Sequence, residues 1–331
     1  MSNKPPIEVP QGAIRLNTDS QKLEFYAQDR WYEMATDVPT LDGGARGLIG
    51  GGSDGRTDAT DFITVSTAGN GQDFGNLTQA RDQLGAGASR TRGIFAGGYT
   101  PSNSDRIDRY EISSLGNATD FGNLQSSRKD LDSCSNQTRI VHTGGRVTPG
   151  NRDTMGYNTI AVDGNAVDFG NLTAARSNHA CYGNSVRGMI HGGIGVQNIE
   201  FITIPTLGNS QTFGDVVSER ITQGAGCSSS TRGMAMGGGT SDTIIDFTTI
   251  ATLGNAITFG DLYNGTGDGA GLSDSVRGVL AGGRNPSPET NIIQYINIST
   301  EGNSVDFGDL SYGSSSGRSA AGLCNGHGGL G

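Results

Sequence analysis

No run of eighteen apolar residues occurs in the 331-residue chain, so the sequence offers no membrane-spanning helix. The opening MSNKPPIEVP lacks the apolar core of a secretory signal, and neither secretion nor membrane insertion is expected. Aromatic residues make up only 6% and apolar residues 33%, a composition that on its own would describe a disordered chain. Basic residues are outnumbered, 23 against 33 acidic, for a net charge of −10. A chain of that sign is repelled by phosphate backbones and anionic lipid, so nucleic acid is not an expected partner. No Walker loop, GxSxG or dinucleotide fingerprint stands in a strand–turn–helix context. No HxH or HxxxH spacing links His142, His179, His191 and His327. No cofactor, metal or catalytic group is therefore expected.

Glycine is what the chain has in excess, 55 residues, and its order is regular. Phe-Gly recurs at Phe74, Phe121, Phe169, Phe213, Phe259 and Phe307, 44 to 48 residues apart. Five residues before each Phe stands Gly-Asn, at Gly69, Gly116, Gly164, Gly208, Gly254 and Gly302. Four residues earlier again comes Val65, Ile112, Ile160, Ile204, Ile250 or Ile298. Upstream, Arg46, Arg92, Arg139, Arg187, Arg232 and Arg277 are each followed at the fifth and sixth positions by Gly-Gly. Four markers in one register over six copies define a repeat.

Each unit reads as a small-residue strand, a Ser/Asn turn, a strand running into Gly-Gly, a variable loop, an Ile/Tyr/Thr strand, a Gly-Asn turn and a strand ending in DFG(N/D)L. Four short strands in about 46 residues is the size of one propeller blade. A solenoid is the rival architecture, and the chain ends decide against it. The first unit, beginning near Leu41, lacks its small-residue strand, and Arg318 to Asn325 supplies one with nothing after it. Pairing the two removes both sheet edges. The pattern over residues 41–331 resembles the kelch repeat in its Gly-Gly pair, in the third-strand residues Tyr110, Phe201, Phe247 and Tyr295, and in the Arg opening the next unit. It carries Phe where kelch blades usually have Trp. The expected fold is all-β, a six-bladed kelch-like propeller closed by the C-terminal strand and preceded by a small N-terminal meander in residues 1–40.

The six Phe are expected to be packing residues. The arginines ahead of Gly-Gly could form an anion-binding ring, or pair with Asp73, Asp120, Asp168 and Asp306, or donate to backbone carbonyls. Cys134, Cys181, Cys227 and Cys324 fall at one register position of the first strands, which excludes disulfides on spacing and makes them small buried thiols. Connections of variable length, between Gly-Gly and the third strand, are where recognition is expected. They carry Asp54, Arg56, Asp58, Tyr99, Asn103, Arg146, Asn151, Arg152, Arg284 and Asn285, and Arg81, Arg128, Arg176 and Arg220 should lie near the same face.

Residues 12–36 stand outside the repeat and read as three short strands, AIRLN, KLEFY and RWYEM. Such a meander buries too little to stand alone and is expected to dock through Ile14, Leu16, Leu23, Phe25, Tyr26, Trp31 and Tyr32. Gly12, Ile14, Arg15, Asn17, Thr18, Lys22, Leu23, Glu24, Tyr26 and Trp31 match a motif similar to one in tail-fibre and other virion proteins of phages, especially cyanophages. The resemblance implies a non-enzymatic virion structural protein, located in the virion, whose partners are other virion proteins through residues 1–40 and a host glycan or receptor, with homo-oligomerisation open. A free-standing glycan-binding propeller and a kelch-type enzyme acting on sugars are the alternatives.

Overall fold

The computed structural model describes residues 9–17, 22–28, 30–33, 45–53, 55–218, 224–239, 242–284, 290–312 and 317–330. The chain divides into two units, Met1–Leu41 and Asp42–Gly331. In the first, Ile14–Asn17, Lys22–Ala27 and Arg30–Glu33 form an antiparallel meander, as the sequence pattern predicts. Its register sets Ile14 opposite Phe25 and Phe25 opposite Tyr32, and, on the other face, Arg15 opposite Glu24 and Tyr26 opposite Trp31. The second face is internally satisfied. Arg15 Nε lies 2.7 Å from Glu24, and its guanidinium sits 4.1 Å above the Trp31 ring.

The second unit is all-β and holds six antiparallel sheets built to one plan. In the fourth, Ala180–Gly183, Arg187–His191, Asn198–Thr203 and Gln211–Asp215 pair in sequence order. The sheets starting at Gly85–Ala88, Asp132–Ser135, Ala225–Ser228 and Ala270–Ser273 repeat this order, the one from Asp132 carrying an added two-residue strand, Arg146–Val147. The remaining sheet takes its first strand from the far end of the chain: Ala321–Cys324 pairs with Arg46–Gly50, which is followed by Ala59–Thr64 and Gln72–Asn76.

First strands of successive sheets are neighbours, and Ala321–Cys324 neighbours both Ala270–Ser273 and Gly85–Ala88. Small residues make this approach possible. A Cβ on Gly226 would collide with the Cys181 carbonyl, and one on Gly271 or Gly322 would lie 2.5 or 2.6 Å from the preceding sheet's backbone. Two residues ahead of these strands, Gln83, Asp130, Asn178, Asp268 and Ser319 all have φ between 54° and 59°, a left-handed conformation costly for side-chain-bearing residues. Their backbones link sheet to sheet, Asp130 N–H to Gln83 O at 3.1 Å, Asn178 N–H to Asp130 O at 3.0 Å, and Gln83 N–H to Ser319 O at 2.9 Å.

All six repeated Phe are 2–4% exposed, and five meet a third-strand aromatic edge to face, as in Phe201–Phe213 at 6.2 Å and Tyr295–Phe307 at 5.8 Å. The Gly-Asn pairs do not make the turn that sequence assigns to them. The reversal lies upstream, where Ser114 N–H bonds Glu111 O and Thr206 N–H bonds Thr203 O. Gly-Asn instead runs along the fourth strand of the preceding sheet. Gly116 N–H donates to Phe74 O at 2.9 Å, Asn117 Oδ1 accepts from Asn76 N–H at 3.0 Å, and the same bonds recur at every sheet junction through Gly69 N–H to Phe307 O at 2.8 Å.

The glycine after each Phe is what allows this contact. Gly122 has φ +149° and its Cβ would collide with Gly164 O, whereas a Cβ on Gly164 would meet nothing within 4 Å. Gly122→Ala is therefore expected to cost about 3 kcal/mol, and Gly164→Ala less than about 1 kcal/mol. Urea unfolding midpoints of the two variants measure the difference.

Candidate functional site

Each second strand ends in Gly-Gly at positive φ, for example Gly97 at 65° and Gly98 at 107°, which turns the next residue back toward the preceding sheet. In three of the sheets it forms an isolated antiparallel bridge with the segment that leads in from the preceding sheet. Tyr99 bridges Asp82, Arg146 bridges Lys129 and Arg284 bridges Gly267. Two of these bridges are tied together, since Tyr99 also bridges Asn103 and the Asn103 amide nitrogen donates to Arg146 O at 3.3 Å.

Around Tyr99 the loops of the first three sheets converge. The Arg56 guanidinium lies 4.8 Å from the ring centroid and Lys129 Nζ 4.3 Å, both inside cation–π range. Arg56 Nε is 3.9 Å from Asp82. Burial pushes the Asp82 carboxyl up to about 6, against the pull of Arg56 and Lys129 and with repulsion from Asp130 adding to the rise. Asp130 is likewise raised by burial, opposed by Lys129 and Arg146. Two buried carboxylates thus underlie a cluster of half-buried and exposed cations.

Of the residues singled out in sequence, Arg56, Tyr99, Asn103 and Arg146 are brought together here. Asn151 pairs with Arg146 and accepts a bond from Ser177 Oγ at 3.0 Å, and Arg152 is exposed on the same hairpin. Asp58 is half-buried, and its backbone oxygen accepts the Leu77 N–H. Arg284 occupies the equivalent bridge of another sheet and does not join the cluster. Asp54, Arg220 and Asn285 lie outside the described residues, as does the Leu23 side chain. Sequence reasoning missed Lys129 and Asp82. The signal was present in the register, because both directly follow the arginine seven residues after Phe.

Those arginines are not on the loop face. Arg81, Arg128 and Arg176 are at most 1% exposed and lie between sheets. Arg81 Nη1 is 3.1 Å from Asp108, and Arg176 pairs with Glu200. Asp108 and Glu200 also accept the backbone N–H of Thr78 and Thr173 from the preceding sheet, both at 3.0 Å. Arg128 faces a sheet whose equivalent residue is Gly156, and donates instead to Gly144 O and Thr154 O at 2.8 and 3.0 Å. Desolvation without a carboxylate lowers it to about 10.

The arginines ahead of Gly-Gly take the carbonyl option among the three left open, Arg92 adding ion pairs to Glu111 and Asp163 at 3.2 and 3.3 Å. Arg46 reaches Ile112 O, Arg187 reaches Ile250 O, and Arg277 reaches Val65 O, each at 2.8 to 3.1 Å across a sheet junction. Five of them also lie over a third-strand aromatic, at 4.6 to 5.0 Å.

A second concave region runs between the six first strands, about 640 Å3 including its open mouth. All four cysteines line it, with Asp132, Tyr182 and His327, so thiols converge where sequence expected no cluster. They do not share one register position. Cys134 and Cys227 oppose the second residue after the repeated Arg, Cys181 the third and Cys324 the first. All are free and buried. Burial pushes Cys134 and Cys324 up to about 12 and raises Cys181 and Cys227 further, which removes thiolate character at neutral pH. One end is covered by the turn Gly328–Leu330, held by Arg90 to Leu330 O and by His327 Nε2 to Ala88 O, both at 2.8 Å.

No known family model matches the chain, and neither does any curated protein.

The buried histidines have a measurable consequence. His142 lies between Ser133 Oγ at 2.9 Å and Asn158 Oδ1 at 3.0 Å, and burial lowers it to about 3. An unfolded histidine gains its proton below about pH 6.5, whereas the folded one stays neutral until about pH 3. Stability from this group is present above pH 6.5 and is lost as pH falls from 6.5 toward 3. The slope of unfolding free energy against pH between 4 and 6 is expected to be shallower by about one proton in His142→Gln than in the wild type.

Proposed function

We propose that the second unit is a six-bladed, kelch-like β-propeller and that the chain is a non-enzymatic phage virion structural protein, a tail-fibre adhesin or a decoration protein anchored through residues 1–40. Supporting the propeller are six sheets of one plan, whose junction bonds recur from Gly116–Phe74 round to Gly69–Phe307. In this reading the Tyr99 cluster lies on the displayed loop face and the N-terminal meander supplies attachment.

The observation that carries the anchoring role is the uneven meander. One face is occupied by Arg15, Glu24, Tyr26 and Trp31, while the opposite face exposes Ile14 by 64%, Leu16 by 60% and Phe25 by 37%, with Tyr32 stacked on Phe25 at 5.5 Å. Apolar side chains aligned on one side of a three-stranded sheet fit a protein partner better than water. Together with the resemblance of Gly12 to Trp31 to virion proteins, this supports the reading of the segment as an assembly element.

A chain lacking residues 1–40 is expected to remain soluble and folded, with an unfolding midpoint close to that of the full chain, and to be missing from purified particles. Normal incorporation of this truncation would overturn the anchoring role. Saccharide binding by the isolated chain, combined with that result, would favour a free-standing lectin instead.

A further inference from the structure

We infer that the cluster of Arg56, Tyr99, Lys129 and Arg146 is a binding site for a carboxylate-bearing saccharide. The inference rests on the reading of the loop face as a recognition surface, and it adds the ligand's chemistry. Charge is the first argument. In a chain with ten more acidic than basic residues, Lys129, Arg146 and Arg152 make no ion pair among the described residues, whereas Arg81, Arg176 and Arg318 each meet a carboxylate. Their nearest carboxylates, Asp82 and Asp130, are buried beneath them, so on the solvent side the cluster presents positive charge that an anionic ligand can satisfy.

Preorganisation is the second. Tyr99 has Arg56 and Lys129 over its ring and is fixed by bridges to Asp82 and Asn103. With cations over it, the ring serves to hold charges in position while their outer N–H groups stay open to solvent. Asp82 and Asp130 are only 5% and 4% exposed, so they hold the cations from below without competing at the surface. A ligand carboxylate would therefore find donors already oriented, at little entropic cost.

The neutral groups around the cations select the rest of the ligand. The Asn103 amide nitrogen is committed to Arg146 O, which leaves its oxygen to accept from a hydroxyl. Asn151, opposite Arg146 in the hairpin, accepts from Ser177 through its oxygen and keeps its amide N–H groups to donate. A guanidinium fork for a carboxylate, flanked by one acceptor and one donor amide, matches a uronic acid with its ring hydroxyls. An oligothymidylate of equal charge lacks the ring hydroxyls beside its anionic groups that the two amides would meet.

Oligogalacturonate, its carboxyl-reduced neutral counterpart, and oligothymidylate of equal charge are the probes, titrated into the full-length protein by calorimetry. Oligogalacturonate is expected to bind at least tenfold more tightly than either of the other two. Lys129→Gln combined with Arg146→Gln is expected to weaken it at least tenfold with the circular dichroism spectrum at the assay temperature unchanged, while loss of the charges beside buried Asp82 and Asp130 lowers the unfolding midpoint. Arg284→Gln, at the equivalent bridge of another sheet, is expected to bind as the wild type does. Absence of binding to the wild type, equal binding of the neutral sugar or of oligothymidylate, or indifference to the double substitution would each overturn the inference. The readout is independent of particles. If the truncation fails to join virions and no saccharide binds, the site alone falls; if saccharide binds and the truncation is incorporated, the anchoring role falls and the site stands.

Discussion

The second unit depends on backbone meeting backbone at each sheet junction, where a Phe carbonyl accepts the N–H of a glycine in the next sheet. Everything adjacent is arranged around that bond. The glycine following Phe has no Cβ because the neighbouring carbonyl occupies the space, and the Asn side chain completes a second bond that would otherwise leave a strand-edge N–H open. Phe itself fills the volume behind the stitch. A net hydrogen bond contributes only about 1 kcal/mol, so no single junction decides stability, but a chain that repeats the same pair of bonds at all six needs few large apolar residues. That accounts for a folded structure at 6% aromatic content.

Buried charge follows a related logic. Arg81 and Arg176 cross from one sheet to the next and meet an acid that also holds a backbone N–H of the sheet they came from. Arg128 makes the same crossing without an acid and is held by two carbonyls and the Thr154 hydroxyl. Burying a guanidinium is costly unless its donors are taken up, and the two solutions show that the requirement is for acceptors, not for a carboxylate as such. The same requirement explains why the arginine ahead of Gly-Gly reaches carbonyls across the junction in every sheet.

Strand number, strand order and the pairing of the chain's two ends were legible in sequence because each leaves a residue-type marker at fixed spacing. The Gly-Asn pair misled because its residue types suit a tight turn, while its actual role, an extended stitch at φ near +149° for Gly116, uses the same freedom of glycine for another end. The αL positions at Gln83, Asp130 and Asn178 left only a partial marker: Asp and Asn tolerate that conformation, but Gln83 and Ser319 do not advertise it, and the tertiary bonds that impose it do not show in sequence. The buried arginines were misplaced for a related reason: a charged residue reads as surface unless its partner, here three strands further along the chain in the next sheet, is known. In the candidate site, four of the loop residues were found from variability against a constant frame, and Lys129 was missed because it belongs to the constant part of the repeat.

The pairing of Ala321–Cys324 with Arg46–Gly50 joins residues separated by most of the chain. During synthesis the sheet begun at Arg46 stays one strand short while the other five are completed in turn, and its open edge is available to other chains throughout that time. This pairing spans more residues than any other among the described strands and so has the highest loop-closure cost of them. A chain lacking Ala321–Cys324 therefore keeps an unpaired edge at Arg46–Gly50, a site at which another chain's strand can add.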